Sequence, residues 1–237
     1  MEPAEYALMD EAEGRMWWYR ALHARLLDSL IGISGRVLDA GCGTGGFLAE
    51  LRTRRPDLEP IGLEWSATAA TRARSKSAAP IVRGSVNTLP FTSGTFDAAV
   101  SADVLCHGAV APAQALTELR RVLRPGGRLV VNMPAYAWLM SAHDRRVHNA
   151  LRQTAVQTAD LLRDAGFARV RARYWNGMLL PLMIIQRKVL ARGDAASDVA
   201  AFPPWLDTIL HGMTDIERRL PFPLPFGGSV LAIAEQP

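Results

Sequence analysis

The 237-residue sequence has little cysteine, almost no lysine and no long apolar run. Its two cysteines, Cys42 and Cys106, fall in no Cys-x-x-Cys or Cys/His spacing. That excludes a zinc site and a disulfide framework and fits a reducing, cytoplasmic setting. No apolar run reaches the roughly 18 residues of a membrane span. The longest, "MLLPLMII" (178–185), is short and carries a proline, so stable membrane insertion is not expected. The acidic start, "MEPAEYALMDEAEGR", does not read as a signal peptide. No acidic cluster is spaced for a catalytic magnesium ion, so no metal is expected. Of 27 basic residues only Lys76 and Lys188 are lysine. The arginines are scattered, and no basic stripe interleaves with aromatics, so nucleic acid is not an expected partner.

What is present suits an ordinary soluble globular chain: 49% hydrophobic and 21% charged residues. Residues 10–31 read as one helix, with Leu22, Leu26, Leu27 and Leu30 at helical spacing. After Gly35 strands and helices alternate: "RVLDA", "EPIGLEW", "PIVRG", "FDAAVSA" and "RLVVNMP" as strands, with helices between most of them, then the helix "TAVQTADLLRDAG" and two last strands, "FARVRARYW" and "GGSVLAIAEQ". Such alternation predicts an α/β fold: a Rossmann-like, seven-stranded, mostly parallel sheet with helices on both faces. Residues 1–34 are expected to form an N-terminal helical cap on a main domain at 35–237. An insertion at 176–226, with two helices, precedes the last strand.

The densest signal is "VLDAGCGTGG" (37–46). A short apolar strand ends in an acid, and the backbone then loses its side chains. Glycine permits positive φ and close approach of a ligand to the amides, and such a turn before a helix suits a nucleotide-like ligand. Gly41, Gly43 and Gly46 also satisfy the dinucleotide pattern G-x-G-x-x-G, which is weak alone. A second acid, Glu64, closes the second strand 21 positions after Gly43. That distance suits a carboxylate on two ribose hydroxyls, and Trp65 beside it could lie flat on an adenine. The site reads as built for an adenosine, with nothing calling for a pyrophosphate.

On these residues the chain resembles the class I S-adenosylmethionine-dependent methyltransferases of the small-molecule type. "VLDAGCGTG" is similar to the family's first motif and "IGLEWS" to its second. "GSVNTLPFTSGTFDAAVSADVLCH" (84–107) resembles the stretch from the adenine pocket into the fourth strand, and "ELRRVLRPGGRLVVNMP" (118–134) the helix, turn and fifth strand. The resemblance implies that Gly41 and Gly43 lie against the methionyl part of the cofactor, with Cys42 as a small residue between them. Asp39 orients that loop, Glu64 holds the ribose and Trp65 covers the adenine. Ser85 stands where the family more often has Asp facing the adenine amino group. The Val86 backbone faces the ring edge, and Ser101 places a carbonyl near the cofactor amine. The cofactor implied is S-adenosylmethionine, leaving as S-adenosylhomocysteine. "WLMSAHDRRVHNALRQT" (138–154) resembles a bacterial subgroup and keeps His143, Asp144 and His148, but lacks that subgroup's further histidine, one arginine and the tyrosine.

Methyl transfer is an in-line displacement that alignment alone can speed by about 7–11 kcal/mol. A hydroxyl or ammonium acceptor also needs a base, worth about 10²–10⁴-fold. His143 is the first candidate, His107 a weaker one, and His148 and His23 follow. The expected partner is an apolar or aromatic small molecule methylated on O or N, as in natural product biosynthesis. Trp17, Trp18, Tyr19, Trp138 and His148, with Tyr174, Trp175 and the insertion, are expected to line or cover its pocket. Trp17 and Trp18 read equally well as core packing. A lipid or membrane-bound acceptor, a cofactor-binding regulator without turnover and an RNA substrate are the alternatives.

Overall fold

The computed structural model describes residues 3–185 and 203–237, with side chains from Tyr6 onward. The part of the predicted insertion at 186–202 lies outside the described residues. Seven strands form one sheet: β1 (Gly35–Ala40), β2 (Leu58–Glu64), β3 (Ile81–Arg83), β4 (Phe96–Ala102), β5 (Leu123–Pro134), β6 (Ala168–Trp175) and β7 (Ser229–Glu235). Their order is β3-β2-β1-β4-β5-β7-β6. β1 to β5 run parallel to one another, and β7 runs antiparallel to both β5 and β6. This is the mostly parallel sheet expected from the alternating pattern, with β7 as the exception. The exception arises because the segment from β6 to β7 returns β7 between β5 and β6 in the reverse direction.

Both faces of the sheet are covered, and successive residues along a strand point to opposite faces. Leu38, Ala99, Leu129 and Val131 face one layer, where they meet Leu116 and Leu119 of α5 (Pro112–Val122) and Leu162 of α7 (Ala155–Asp164). Their neighbours Val37, Ala98, Val100 and Val130 face the other, against Leu22, Leu26 and Leu30 of α2 (Trp17–Ser29) and its following turn, and Phe47 and Leu51 of α3 (Gly46–Arg54). α4 (Ala67–Ser77) is capped by Ser66, whose hydroxyl accepts from the Ala69 amide at 3.3 Å. Thr154 and Gln157 form a reciprocal capping box at the start of α7.

Three boundaries differ from the sequence reading. The helix expected over 10–31 is two helices, α1 (Pro3–Ala12) and α2, broken around Gly14. The Glu13 side chain turns inward at this break to bond Thr44 Oγ1 at 2.6 Å, which a continuous exposed helix would not allow. "RPGG" belongs to β5, which already pairs with β4 at Leu123. The stretch after β5 is not wholly irregular: a 3-10 turn at Ala137–Leu139 precedes α6 (Ala142–Arg146). The insertion contributes α8 (Leu180–Ile185) and α9 (Pro204–Arg218).

α2 and α9 meet through polar contacts, of which those of Arg25 are buried. Asp207 accepts from the Trp17 amide at 2.6 Å and pairs with Arg20 at 2.6 Å. Arg25 bonds the Thr214 carbonyl at 2.8 Å, lies 3.7 Å from Glu217, and stacks 4.6 Å over the Trp175 ring. Arg218 pairs with Asp28 at 2.6 Å. The two segments predicted to cover the sheet edge are thus joined across the chain.

Candidate functional site

A cavity of about 950 Å³ opens along the carboxyl ends of the central strands and runs under α1, α2, α8 and α9. It lies at the upper end of the about 300–1,000 Å³ usual for small-molecule sites. The sheet order lays out its two ends. The β2 and β3 termini and their loops form one, and the loops after β5 and β6 form the other.

At the first end the glycine loop leaves β1 with Gly41 at φ 97° and Gly43 at φ 55°. A Cβ on Gly41 would lie 2.4 Å from Val104 Cγ2, and one on Gly43 2.8 Å from Met9 Cε. The glycines therefore let protein close over the loop, from α1 and from the turn after β4, as much as they admit a ligand. Glu64 ends β2 buried, accepting from the Gly43 amide at 3.0 Å and the Ser66 amide at 2.8 Å. Burial pushes its carboxyl above the ordinary value against the pull of those amides. The Trp65 indole beside it is 73% exposed. Ser85 Oγ accepts from the Asn87 amide at 3.2 Å, which fixes the turn after β3. Asp39, buried at the end of β1, has its carboxyl raised to about 8, first by burial and then by the Glu64 and Glu13 carboxylates. Cys42 lines the wall with its thiol pushed up by burial. Asp39, Gly41, Cys42, Gly43, Glu64, Trp65, Ser85 and Val86 all line the cavity. Ser101 does not: it is fully buried inside β4, and Ala102 and Asp103 at the strand end take the wall position.

At the second end His107, His143 and His148 line the same cavity. Asp144 anchors the loop that carries His143 and His148. It is wholly buried, accepts from Arg152 Nε and Nη2 at 3.0 Å each, and caps α6 through the Ser141 amide at 2.8 Å. Adjacent side chains on a helix point apart, and the acid is committed to Arg152, which also ties the Ala135 carbonyl at 3.0 Å. Burial lowers the His107 imidazole, although the Val147 and His148 backbone carbonyls favour its charged form. His23 is lowered to about 4, chiefly by burial, and packs on Phe47 at 5.6 Å between ring centres. Trp17, Trp18 and Tyr19 line the cavity, Trp17 within an apolar cluster with Leu179 and Leu210. Trp138 does not reach it. Its ring is 51% exposed and stacks on Tyr136 at 5.7 Å, which stacks on Tyr174 at 5.2 Å. Tyr174 and Trp175 are likewise absent from the wall. Trp175 is core, its Nε1 donating to Asn132 Oδ1 at 2.8 Å.

Several wall residues escaped the sequence reading. Asp103, with φ 54°, accepts both Asn132 Nδ2 contacts at 3.0 Å, and burial raises its carboxyl to about 6. It lies just past β4, as Asp39 lies near the end of β1 and Glu64 ends β2, so an acid near the carboxyl end of a strand was its signal. Glu13, Asn176 and Met183 reach the cavity from remote segments, and of these only the Asn176-Gly177 pair gave a local hint, as a turn. Among the described residues no group of three or more His, Cys, Asp or Glu is placed to hold a metal ion. No described helix is long and apolar enough to cross a membrane.

Comparison with known proteins agrees with this architecture. Residues 38–131 match the family described as "Methyltransferase domain". A demethylmenaquinone methyltransferase of Lactiplantibacillus plantarum is 30% identical over 177 residues, 60% of this chain and 74% of that protein. A demethylmenaquinone methyltransferase of Deinococcus radiodurans is 36% identical over 119 residues, 48% of each chain. Among solved structures, an S-adenosylmethionine-dependent methyltransferase of Thermotoga maritima superposes with a TM-score of 0.63 at 20% identity, covering 99% of this chain and 95% of that one. A geranyl diphosphate C-methyltransferase of Streptomyces coelicolor gives 0.63 at 16% identity, covering 92% and 80%. The chain belongs to the class I S-adenosylmethionine-dependent methyltransferases. It spans about half or less of the length of the first curated relatives it matches.

Proposed function

We propose that the chain transfers a methyl group from S-adenosylmethionine to an oxygen or nitrogen of an apolar or aromatic small molecule. The observation that carries this reading is that one cavity joins the Glu64 and glycine-loop end to the histidine-bearing loop and the apolar insertion. The residues fit the cofactor. Glu64 is held by two backbone amides yet has lone pairs left, and a ribose diol is a neutral partner for a buried carboxylate. The open Trp65 face suits adenine, and the Ser85–Val86 turn suits its edge. The raised Asp39 carboxyl lies where a cationic ligand would draw off its proton. When bound, the cofactor supplies a methyl carbon on a sulfonium leaving group. The chain's own task is to hold the acceptor atom in line and to keep water out. His143 takes the proton from an acceptor hydroxyl or ammonium on its imidazole nitrogen. His107, kept neutral by burial, is the second candidate.

The test is thermal unfolding with added ligand, because a ligand that binds only the folded state stabilises it by mass action. S-adenosylhomocysteine should raise the melting temperature and NAD should not; the reverse pattern would remove the reading.

A second reading, an acceptor with a lipid tail, is favoured by one observation. Trp205, Ile209 and Ile216 of α9 are 66%, 52% and 59% exposed, and the relatives of known name include demethylmenaquinone methyltransferases. Sedimentation with phosphatidylcholine vesicles decides it, since a water-soluble acceptor requires no partition.

A further inference from the structure

The far end of the cavity holds polar groups that the protein does not satisfy. Asn176 is fully buried, yet among the described residues neither its Oδ1 nor its Nδ2 has a hydrogen-bond partner. The Trp17 indole Nε1, also buried, is unsatisfied in the same way. Both residues line the cavity. An unpaired buried polar group costs about 1–3 kcal/mol, and native interiors leave few of them. The surrounding wall is apolar. Trp17 packs with Leu179 and Leu210, and Met183 also lines this end.

The backbone that presents Asn176 is itself held firmly. The residue sits just past β6 at φ 61°, a conformation that asparagine tolerates better than most residues. The amides of Asn176, Gly177 and Met178 all donate to the Glu217 carboxylate, at 2.6, 2.8 and 3.0 Å. Arg25 balances that carboxylate from behind. The turn is thus locked by α9 and α2 while the side-chain amide is left unsatisfied. This arrangement fits preorganised recognition, because the ordering cost is met before a ligand arrives. Four strand spacings of about 4.8 Å separate β1 from β6, so Asn176 belongs to the acceptor end and not to the Glu64 end.

We infer that Asn176, with Trp17 Nε1, recognises a neutral carboxamide-type edge on the acceptor: a carbonyl oxygen with an adjacent N–H, on an otherwise apolar body. The carbonyl accepts from Asn176 Nδ2, the N–H donates to Asn176 Oδ1, and Trp17 Nε1 is a further donor on the same wall. A carboxylate would leave Oδ1 unsatisfied, and a hydrocarbon would leave all three. This specificity rests on the methyltransferase reading above and deepens it.

The probes are benzamide and acetophenone, which share ring and carbonyl and differ by NH₂ against CH₃. Their affinities are measured by ligand-observed NMR on the full chain saturated with S-adenosylhomocysteine. Benzamide should bind about tenfold tighter, the worth of one buried hydrogen bond of about 1.4 kcal/mol. Asn176→Gly, which suits the left-handed backbone, should abolish that preference, and Asn176→Asp should lower benzamide affinity. Affinity for S-adenosylhomocysteine should stay within about twofold in both, since a distant site adds nothing to its binding. Equal binding of the two probes overturns the inference. So does no binding of either, or a preference that survives Asn176→Gly, or a parallel loss of cofactor affinity marking a structural residue. Failure of S-adenosylhomocysteine to bind the unaltered chain would instead strike the methyltransferase reading itself.

Discussion

The two ends of the cavity are built by different means. The end proposed for the cofactor is made by strand termini and the turns that follow them: Asp39, Glu64 and Ser85 each stand within a few residues of a strand, and backbone amides fix Glu64. The end proposed for the acceptor is made by side chains from α2, the loop after β5, the turn after β6 and α9, held by the Asp144–Arg152 and Glu217–Arg25 pairs. A ligand shared by many enzymes can be held by backbone that any apolar strand supplies. A particular acceptor requires side chains carried from remote segments, and buried ion pairs keep them in place.

The largest expected effect tests whether those pairs hold the acceptor end. Arg152→Leu leaves the Asp144 carboxylate buried without its main partner, and should cost about 3–5 kcal/mol of stability. Denaturant unfolding measures this. A cost below about 1 kcal/mol, typical of a surface pair, would mean that the loop carrying His143 and His148 stands without the pair.

Next comes the cofactor end. Glu64→Ala removes a charged acceptor and should weaken S-adenosylhomocysteine binding by about 1.5–3 kcal/mol. Calorimetric titration reads this directly, and an unchanged affinity would move the ribose contact to another residue.

Two buried groups of the cavity wall respond to pH with opposite signs. Asp39, raised to about 8 in the folded protein from 3.8, keeps a proton that the unfolded chain has released. Its contribution is full below its unfolded value and is lost as pH rises toward 8. His23, lowered to about 4 from 6.5, contributes above 6.5 and loses that contribution as pH falls. The two offset each other between about 4 and 6.5. Above that only Asp39 changes, so stability should fall by at most about 2 kcal/mol from pH 6.5 to 8. Asn at position 39 cannot ionise, so Asp39→Asn should flatten that slope. A slope that persists in Asp39→Asn would place the titrating group elsewhere.

The same contrast explains what was legible. The succession of strands and helices, the glycine loop and Glu64 all rest on local patterns: alternating burial, glycine at a turn, and an acid at a strand end. The break between α1 and α2 depends on a contact across 31 positions from Glu13 to Thr44, and the reversal of β7 on how the chain returns from α9. Ser101 was misplaced by one or two residues because a strand's end decides which residue meets the cavity. The sequence marks Asp144 only as a residue kept beside His143, and its bond to Arg152, eight positions on, was not legible.

Trp138 separates aromatic content from cavity lining, and should give the smallest effect. Sequence alone could not distinguish its indole from that of Trp17, since both lie in apolar stretches near predicted ligand loops. In the structure Trp17 is buried in the cavity wall, while Trp138 caps an exterior stack on Tyr136. An aromatic pair of this kind is worth about 0.5–1.5 kcal/mol, so Trp138→Ala should cost about 1 kcal/mol of stability or less. The substitution should leave both S-adenosylhomocysteine and benzamide affinity unchanged. Trp17→Phe keeps the ring but removes Nε1, and should weaken benzamide alone. A loss of ligand binding in Trp138→Ala with normal unfolding would show that the loop after β5 turns its aromatic face inward when ligands bind, and the boundary of the acceptor end would have to be redrawn around it.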